Sequence, residues 1–332
     1  MKVNILGAGT WGTALAYVLH KNNINVSVWG RNKEKISQIH FTRRHPNLDN
    51  FIIPDNILYT SEFPDLKSDI IVLATSTKFI GEFINKLPPN HLPKIIIACK
   101  GFYKLGEKFL LPTETFNSFL NFKSNLCVLT GPSHAEELIK ENATAILAAS
   151  DNSDFAKEVQ KIFSNDFFRV YTSKQVIVSQ IGGAVKNIIA IASGICDGLN
   201  LGDNTKAALV SRGMSEIIEY SKTVCDEGKS FDFETLYGLS GLGDLIATAY
   251  SEHSRNRKFG ELIGLGLSAK DSLLEIDMTV EGFDSSSAIK KHSEENSINM
   301  PICSEVYEIL HNNKDPKISL YSLMTRKLTD EN

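Results

Sequence analysis

The sequence predicts an α/β protein, with an N-terminal doubly wound sheet followed by a C-terminal all-helical part. Three observations predict this. Val3-Asn4-Ile5-Leu6 runs directly into Gly7-Ala8-Gly9-Thr10-Trp11-Gly12 and then into a helix-forming stretch from Thr13. Near-continuous apolar runs recur at 69–74, 94–99 and 126–130, as expected of parallel strands covered on both faces. Near Val176 the alternation of strands and helices stops, and from Ile177 the chain reads mostly helical. We therefore expect a dinucleotide-binding domain over residues 1–176 and a helical substrate and catalytic domain over residues 177–332.

The first strand ends in a GxGxxG pattern that also opens a helix. In that context Gly7 permits the tight turn, Gly9 lets backbone approach a pyrophosphate, and Gly12 lets helix and strand pack closely. The helix N-terminus offers N–H groups and a positive dipole end to phosphates. Asn25 to Trp29 reads as the second strand, followed by Gly30-Arg31-Asn32. An NAD-selective site often carries an acidic residue at this point. Arg31 is better suited to a 2'-phosphate, so the expected cofactor is NADP or NAD with NADPH favoured; a solvated surface arginine is the alternative.

The strand at 94–99 ends in Lys100-Gly101, and ligands in doubly wound folds bind off the carboxyl ends of strands. The strand at 126–130 leads into Gly131-Pro132-Ser133-His134-Ala135-Glu136. Ser133 with Glu136 has the spacing of a capping box. His134 reads as a first-turn residue and receives no role. Further strand-like runs cover 143–149 and 168–171.

In the second half, Ala184, Val185, Ile188, Ile189, Ala192 and Ile195 recur at helical spacing around Lys186, with Asp197-Gly198 as the stop. A lysine inside such a run is costly to desolvate. It is either a general base or a residue that snorkels off a core helix. A helix is read from Ala207 to Ile218, and another starts at Phe231-Asp232-Phe233-Glu234. Gly238 to Asp244 is a second glycine-rich stretch, in which Asp244 either bonds an ammonium or caps a helix. Ser254-Arg255-Asn256-Arg257 offers forked donors for a phosphate, or is a solvated basic face. Thr279-Val280-Glu281-Gly282 precedes a helix start read at Ser285.

Composition narrows the function. The chain has 332 residues, 42% of them hydrophobic and 22% charged, with a net charge of -4. That balance argues against non-specific nucleic-acid binding. The five cysteines are scattered, with no CxxC or Cys/His cluster, so no metal site and no disulfide framework is expected and a reducing cytoplasm is. No leader is expected at Met1, and no apolar run is expected to reach the roughly 18 residues of a membrane span.

Taken together, these motifs resemble the bacterial-type NAD(P)-dependent sn-glycerol-3-phosphate dehydrogenase family, over nearly the whole chain and in order. The resemblance rests on 7–12, 99–101, 131–133, 182–187, 241–244, 254–257 and 280–282. It implies a Rossmann-type first domain and reversible reduction of dihydroxyacetone phosphate to sn-glycerol 3-phosphate for phospholipid synthesis. It implies Lys186 as the proton acceptor. Lys100, Gly131, Ser133, Lys186, Asp244, Ser254, Arg255 and Asn256 would bind substrate. Gly7, Gly9, Thr10, Trp11, Gly12, Arg31, Lys100, Ala135, Arg255, Val280 and Glu281 would bind cofactor. Thr10 stands where members commonly carry Ser, which keeps the hydroxyl. A β-hydroxyacid dehydrogenase, a ketopantoate reductase or a nicotinamide-binding regulator without turnover are the alternatives. The assembly state is left open, with a homodimer among the options.

Overall fold

A computed structural model describes residues 1–66, 68–87, 93–119, 125–225, 232, 234–276 and 279–331. The chain divides into two compact units. One comprises Met1–Gln180 with Glu234–Asp244, and the other Ile181–Phe233 with Leu245–Asn332.

The first unit is built on an eight-stranded sheet in the order β10-β9-β8-β5-β4-β1-β2-β3. Its strands are β1 (Lys2–Leu6), β2 (Asn25–Trp29), β3 (Leu58–Thr60), β4 (Ile70–Leu73), β5 (Lys94–Ile97), β8 (Leu126–Thr130), β9 (Thr144–Ala149) and β10 (Phe168–Ser173); β6 (Tyr103–Leu105) and β7 (Lys108–Leu110) form a separate hairpin. Helices α1 (Thr10–Lys21), α2 (Lys33–Thr42), α3 (Ile80–Ile84), α4 (Pro112–Phe119), α5 (Ala135–Leu138) and α6 (Ser153–Phe163) belong to this unit. The strands alternate between two cores. Val3, Ile5, Ile70, Val72 and Ile96 pack into one, and Leu6, Ile71, Leu73, Ile95 and Ile97 into the other. This period of two, with both faces buried, explains why the runs read as continuously apolar.

The strand order reverses between β1 and β4, so the doubly wound expectation holds and the loop after β1 lies at the topological switch point. The sheet departs from a fully parallel one at a single place among the described residues: β9 pairs antiparallel with β8. The intervening stretch contains only the four-residue α5. A parallel return needs a crossover of a dozen residues or more, usually with a full helix, whereas an antiparallel return needs none.

The second unit is helical, with α8 (Gly202–Cys225), α11 (Arg255–Gly264), α12 (Ala269–Ile276), α13 (Glu281–Glu295), α14 (Pro301–Asn312) and α15 (Pro316–Met324). Helix α7 (Val176–Gly198) joins this unit from Ile181 onward, and α10 (Asp244–Tyr250) from Leu245; α9 (Glu234–Tyr237) belongs with the sheet. Phe231 and Phe233, where the sequence places a helix start, lie outside the described residues. Helix α7 corrects the expectation about apolar runs. It is long and apolar enough to cross a bilayer, with a mean hydropathy of 1.5, yet 94% of that window is buried inside the protein. A helix apolar all round is satisfied equally by a protein core. The fit is close because a Cβ on Gly194 would run into the Arg257 carbonyl of α11, and one on Gly260 into the Ile191 carbonyl of α7.

Helix α13 starts at Glu281, four residues before the expected Ser285. Its N-cap, Val280, supplies no side-chain bond. The Asn256 Oδ1 of α11 instead accepts the Gly282 N–H at 2.9 Å, so the start leaves no local signature in the sequence.

Candidate active site

Four carboxyl ends of the sheet, after β1, β2, β5 and β8, carry candidate groups of the first unit, and the glycine-rich stretch adds Asp244. After β1, Gly7 takes φ +130, and a Cβ there would clash with the backbone of Ala74. One on Gly12 would strike the Gly7 carbonyl. Gly9 is different: a Cβ there would meet nothing within 4 Å. Gly7 and Gly12 thus have the tight-turn and close-packing uses expected of them, and a Cβ at Gly9 would face open space. Helix α1 begins at Thr10 with no side chain capping it, so its first-turn N–H groups lack both intrahelical and side-chain acceptors. An open cradle at a helix N-terminus fits a pyrophosphate. Trp11 is tied down beside it, its indole N–H donating to the Ala98 carbonyl at 3.1 Å. Arg31, just past β2, is exposed; its guanidinium lies 5.3 Å from the Phe79 ring centroid and 3.6 Å from Glu82.

Lys100 follows β5. Its Nζ lies 2.7 Å from Asp244 Oδ2, 3.0 Å from the Gly131 carbonyl and 3.5 Å from Ser133 Oγ. Three acceptors match the three donors of an ammonium. The Asp244 side chain is only 2% exposed and that of Lys100 14%. Asp244 is delivered by the glycine-rich stretch, which forms a π-helical turn over Leu239–Gly243 packed against β9. The alternative left open by the sequence resolves here: Asp244 meets an ammonium, that of the largely buried Lys100. The Ser133–Glu136 capping box does not form. Ser133 donates instead to the Gly131 carbonyl at 2.8 Å, and His134 takes the N-cap position of α5 without a side-chain capping bond. Gly131, with φ +134, turns the chain so that its carbonyl reaches Lys100. Ala135 is buried in the first turn of α5.

The second unit carries another lysine. Lys186 is 5% exposed on α7, and its Nζ is 2.5 Å from Thr248 Oγ1. Beside it, the buried Asn187 accepts from Asn256 Nδ2 at 3.0 Å and donates to Glu281 Oε2 at 3.3 Å. Asn256 in turn holds the N-terminus of α13. Ser254 caps α11, accepting from the Arg257 N–H at 3.2 Å. Arg255 is exposed in the first turn of α11, whereas Arg257 forms an ion pair with Asp197 at 2.7 Å. Val280 is buried and Glu281 partly so. The structure therefore gathers Asn256 and Glu281 around Asn187, the residue after Lys186 on α7. Sequence reasoning gave no role to Asn187 or Thr248. Thr248 was detectable in principle, since it lies four residues after Asp244, one turn along the same helix.

Comparison with known proteins identifies the family. The N-terminal model of NAD-dependent glycerol-3-phosphate dehydrogenase matches residues 2–156, and its C-terminal model residues 175–321. The chain belongs to the NAD-dependent glycerol-3-phosphate dehydrogenase family. A glycerol-3-phosphate dehydrogenase [NAD(P)+] from Clostridium acetobutylicum is 41% identical over 99% of this chain and 98% of its own length. One from Clostridium botulinum is 39% identical over 99% of both. The crystal structure of glycerol-3-phosphate dehydrogenase from Coxiella burnetii superposes with a TM-score of 0.90 at 32% identity, covering 98% of this chain and 99% of that one. The resemblance seen in the motifs thus extends through the whole fold.

Proposed function

We propose that this chain is a glycerol-3-phosphate dehydrogenase that interconverts dihydroxyacetone phosphate and sn-glycerol 3-phosphate with NADPH or NADH. The observation that carries the reading is Lys186, an amine held in the interior of an apolar helix with a hydroxyl 2.5 Å from its nitrogen. A nicotinamide cofactor, when bound, would supply or receive the hydride at substrate C2, and the open backbone at Gly9 would hold its pyrophosphate. The protein's residues do the rest. In the oxidative direction Lys186 takes the proton of the C2 hydroxyl, and in reduction it returns one to the carbonyl oxygen. Thr248 aims the amine. Lys100, fixed by Asp244, presents a positive charge to the anionic substrate, with Gly131 and Ser133 beside it. Arg255, with Ser254 at the same helix start, grips the phosphate, and Asn256 offers its second N–H. Binding at that remote group aligns C2 for reaction. Thr10, Trp11, Ala135, Arg255, Val280 and Glu281 contact the cofactor, and Arg31 favours the 2'-phosphate of NADPH.

In this reading residues 1–176 bind the cofactor and residues 177–332 carry substrate binding and catalysis. The product is a phosphorylated three-carbon backbone for glycerophospholipid synthesis, made in the cytoplasm. The test is a spectrophotometric assay of the purified protein with dihydroxyacetone phosphate, run with NADPH and with NADH. Rapid oxidation of either supports the reading. Cofactor binding without oxidation would assign a different substrate.

A further inference from the structure

His45 lies in the segment after α2 and is 3% exposed. Its Nδ1 is 3.1 Å from the Asn47 backbone N–H. A peptide N–H can only donate, so Nδ1 is the acceptor and the ring is neutral with its proton on Nε2. Nε2 is 3.2 Å from the carbonyl oxygen of Ala8, inside the glycine loop. A carbonyl can only accept, so Nε2–H donates to it. Burial, with the charge of Lys35 adding, pushes the ring's pKa down to about 4 despite that bond, in keeping with a neutral ring near pH 7.

The bond settles one peptide plane of the loop. The Gly7 N–H is already taken by the Trp29 carbonyl at 2.9 Å, and the Gly9 carbonyl by the Thr13 N–H at 3.0 Å. The Ala8–Gly9 peptide lies between those anchors. In a trans peptide the carbonyl of one residue and the N–H of the next point in opposite directions. Holding the Ala8 oxygen toward His45 therefore turns the Gly9 N–H to the other side of the loop, at the residue where a Cβ would meet open space. We propose that His45 is a positioning residue for cofactor binding, fixing the direction of the Gly9 amide through the carbonyl of Ala8 so that it meets the pyrophosphate.

This rests on the dehydrogenase reading, and the experiment separates the two. NADPH affinity is measured by calorimetry for the wild type, His45→Leu and His45→Gln, with kcat and the KM for dihydroxyacetone phosphate at saturating cofactor. His45→Leu should raise the NADPH Kd roughly tenfold, the size of one lost hydrogen bond. His45→Gln, whose carboxamide has both a donor and an acceptor, should restore affinity to within about threefold of wild type. The substrate KM should stay within about twofold for both. A His45→Leu variant that binds as tightly as wild type overturns the role, as does a His45→Gln variant no better than His45→Leu. If His45→Leu does not fold, 15N histidine spectra of the wild type at pH 7 decide: a neutral ring protonated on Nε2 supports the role, and an Nδ1–H tautomer or an imidazolium overturns it. A wild type that binds neither NADPH nor NADH overturns the dehydrogenase reading itself.

Discussion

The two candidate lysines, Lys100 in the first unit and Lys186 in the second, are both withdrawn from solvent, but they are held by different chemistry. Lys100 meets a carboxylate, a carbonyl and a hydroxyl. Lys186 meets the hydroxyl of Thr248 from within an apolar helix. A carboxylate can only accept, so the Lys100–Asp244 contact is an ion pair. A hydroxyl can accept from an ammonium or donate to an amine. The Thr248 contact can therefore serve both protonation states, as the proposed acid–base role of Lys186 requires. In the proposed mechanism the first lysine binds substrate and the second exchanges a proton with it.

Lys186→Ala sharpens this contrast most. Loss of a positioned acid–base group costs typically 10²–10⁴-fold, so we expect kcat to fall about 10³-fold while the cofactor Kd, read by calorimetry, stays within about twofold. Near-normal turnover would move proton transfer elsewhere.

Asp244→Ala tests the other lysine. Removing one partner of a buried pair leaves an uncompensated charge and costs about 3–5 kcal/mol. Replacing both, as Lys100→Met with Asp244→Leu, should recover most of that stability without recovering activity. Urea denaturation monitors the first quantity and the assay the second. If the single change costs under about 1 kcal/mol, the pair is effectively solvated and the contrast with Lys186 fails.

Glu216 extends the comparison to a buried carboxylate whose direct partners are backbone dipoles and the Cys303 thiol. On α8, it accepts the Ile302 and Cys303 N–H groups at 2.6 and 3.0 Å, at the start of α14. Burial pushes its pKa up to about 7, although those bonds and the charge of Arg326 pull it down. Because the folded pKa lies above the ordinary value of 4.5, the native state holds the proton more tightly than the unfolded chain. The contribution is complete below about pH 4.5 and lost as pH rises through about 7, an effect of about 3 kcal/mol. Glu216→Gln should flatten that slope. Equal pH dependence of the urea midpoint in variant and wild type between pH 4.5 and 8 would show that Glu216 does not titrate in this way.

Glu216 and Asn256 also show why part of the molecule was hard to read. The glycine loop, the apolar strands and the buried face around Lys186 are local patterns, and all three were legible. The starts of α13 and α14 are not local, since each is capped by a side chain that folding brings from another helix. The Lys100–Asp244 pair joins residues 144 apart in sequence, so the sequence could offer each as a candidate without pairing them. His45 carried no signal at all, because its importance lies in which carbonyl it reaches.

The smallest effect expected is at Arg31, which reverses the situation of both lysines. Its side chain is 71% exposed, and its ion pair with Glu82 at 3.6 Å is of the solvated kind that contributes little. The guanidinium is therefore available to a 2'-phosphate, with the Phe79 face limiting its motion. A charge-assisted contact to phosphate in such a place should set preference rather than catalysis. Arg31→Ala should weaken NADPH binding about tenfold, leave NADH binding unchanged and leave kcat with saturating NADH unchanged. Because the contact is exposed, added salt should weaken NADPH more than NADH in the wild type and equally in the variant. Parallel loss of both cofactors would assign Arg31 to the ribose or the loop instead, and no loss of either would make it a surface charge.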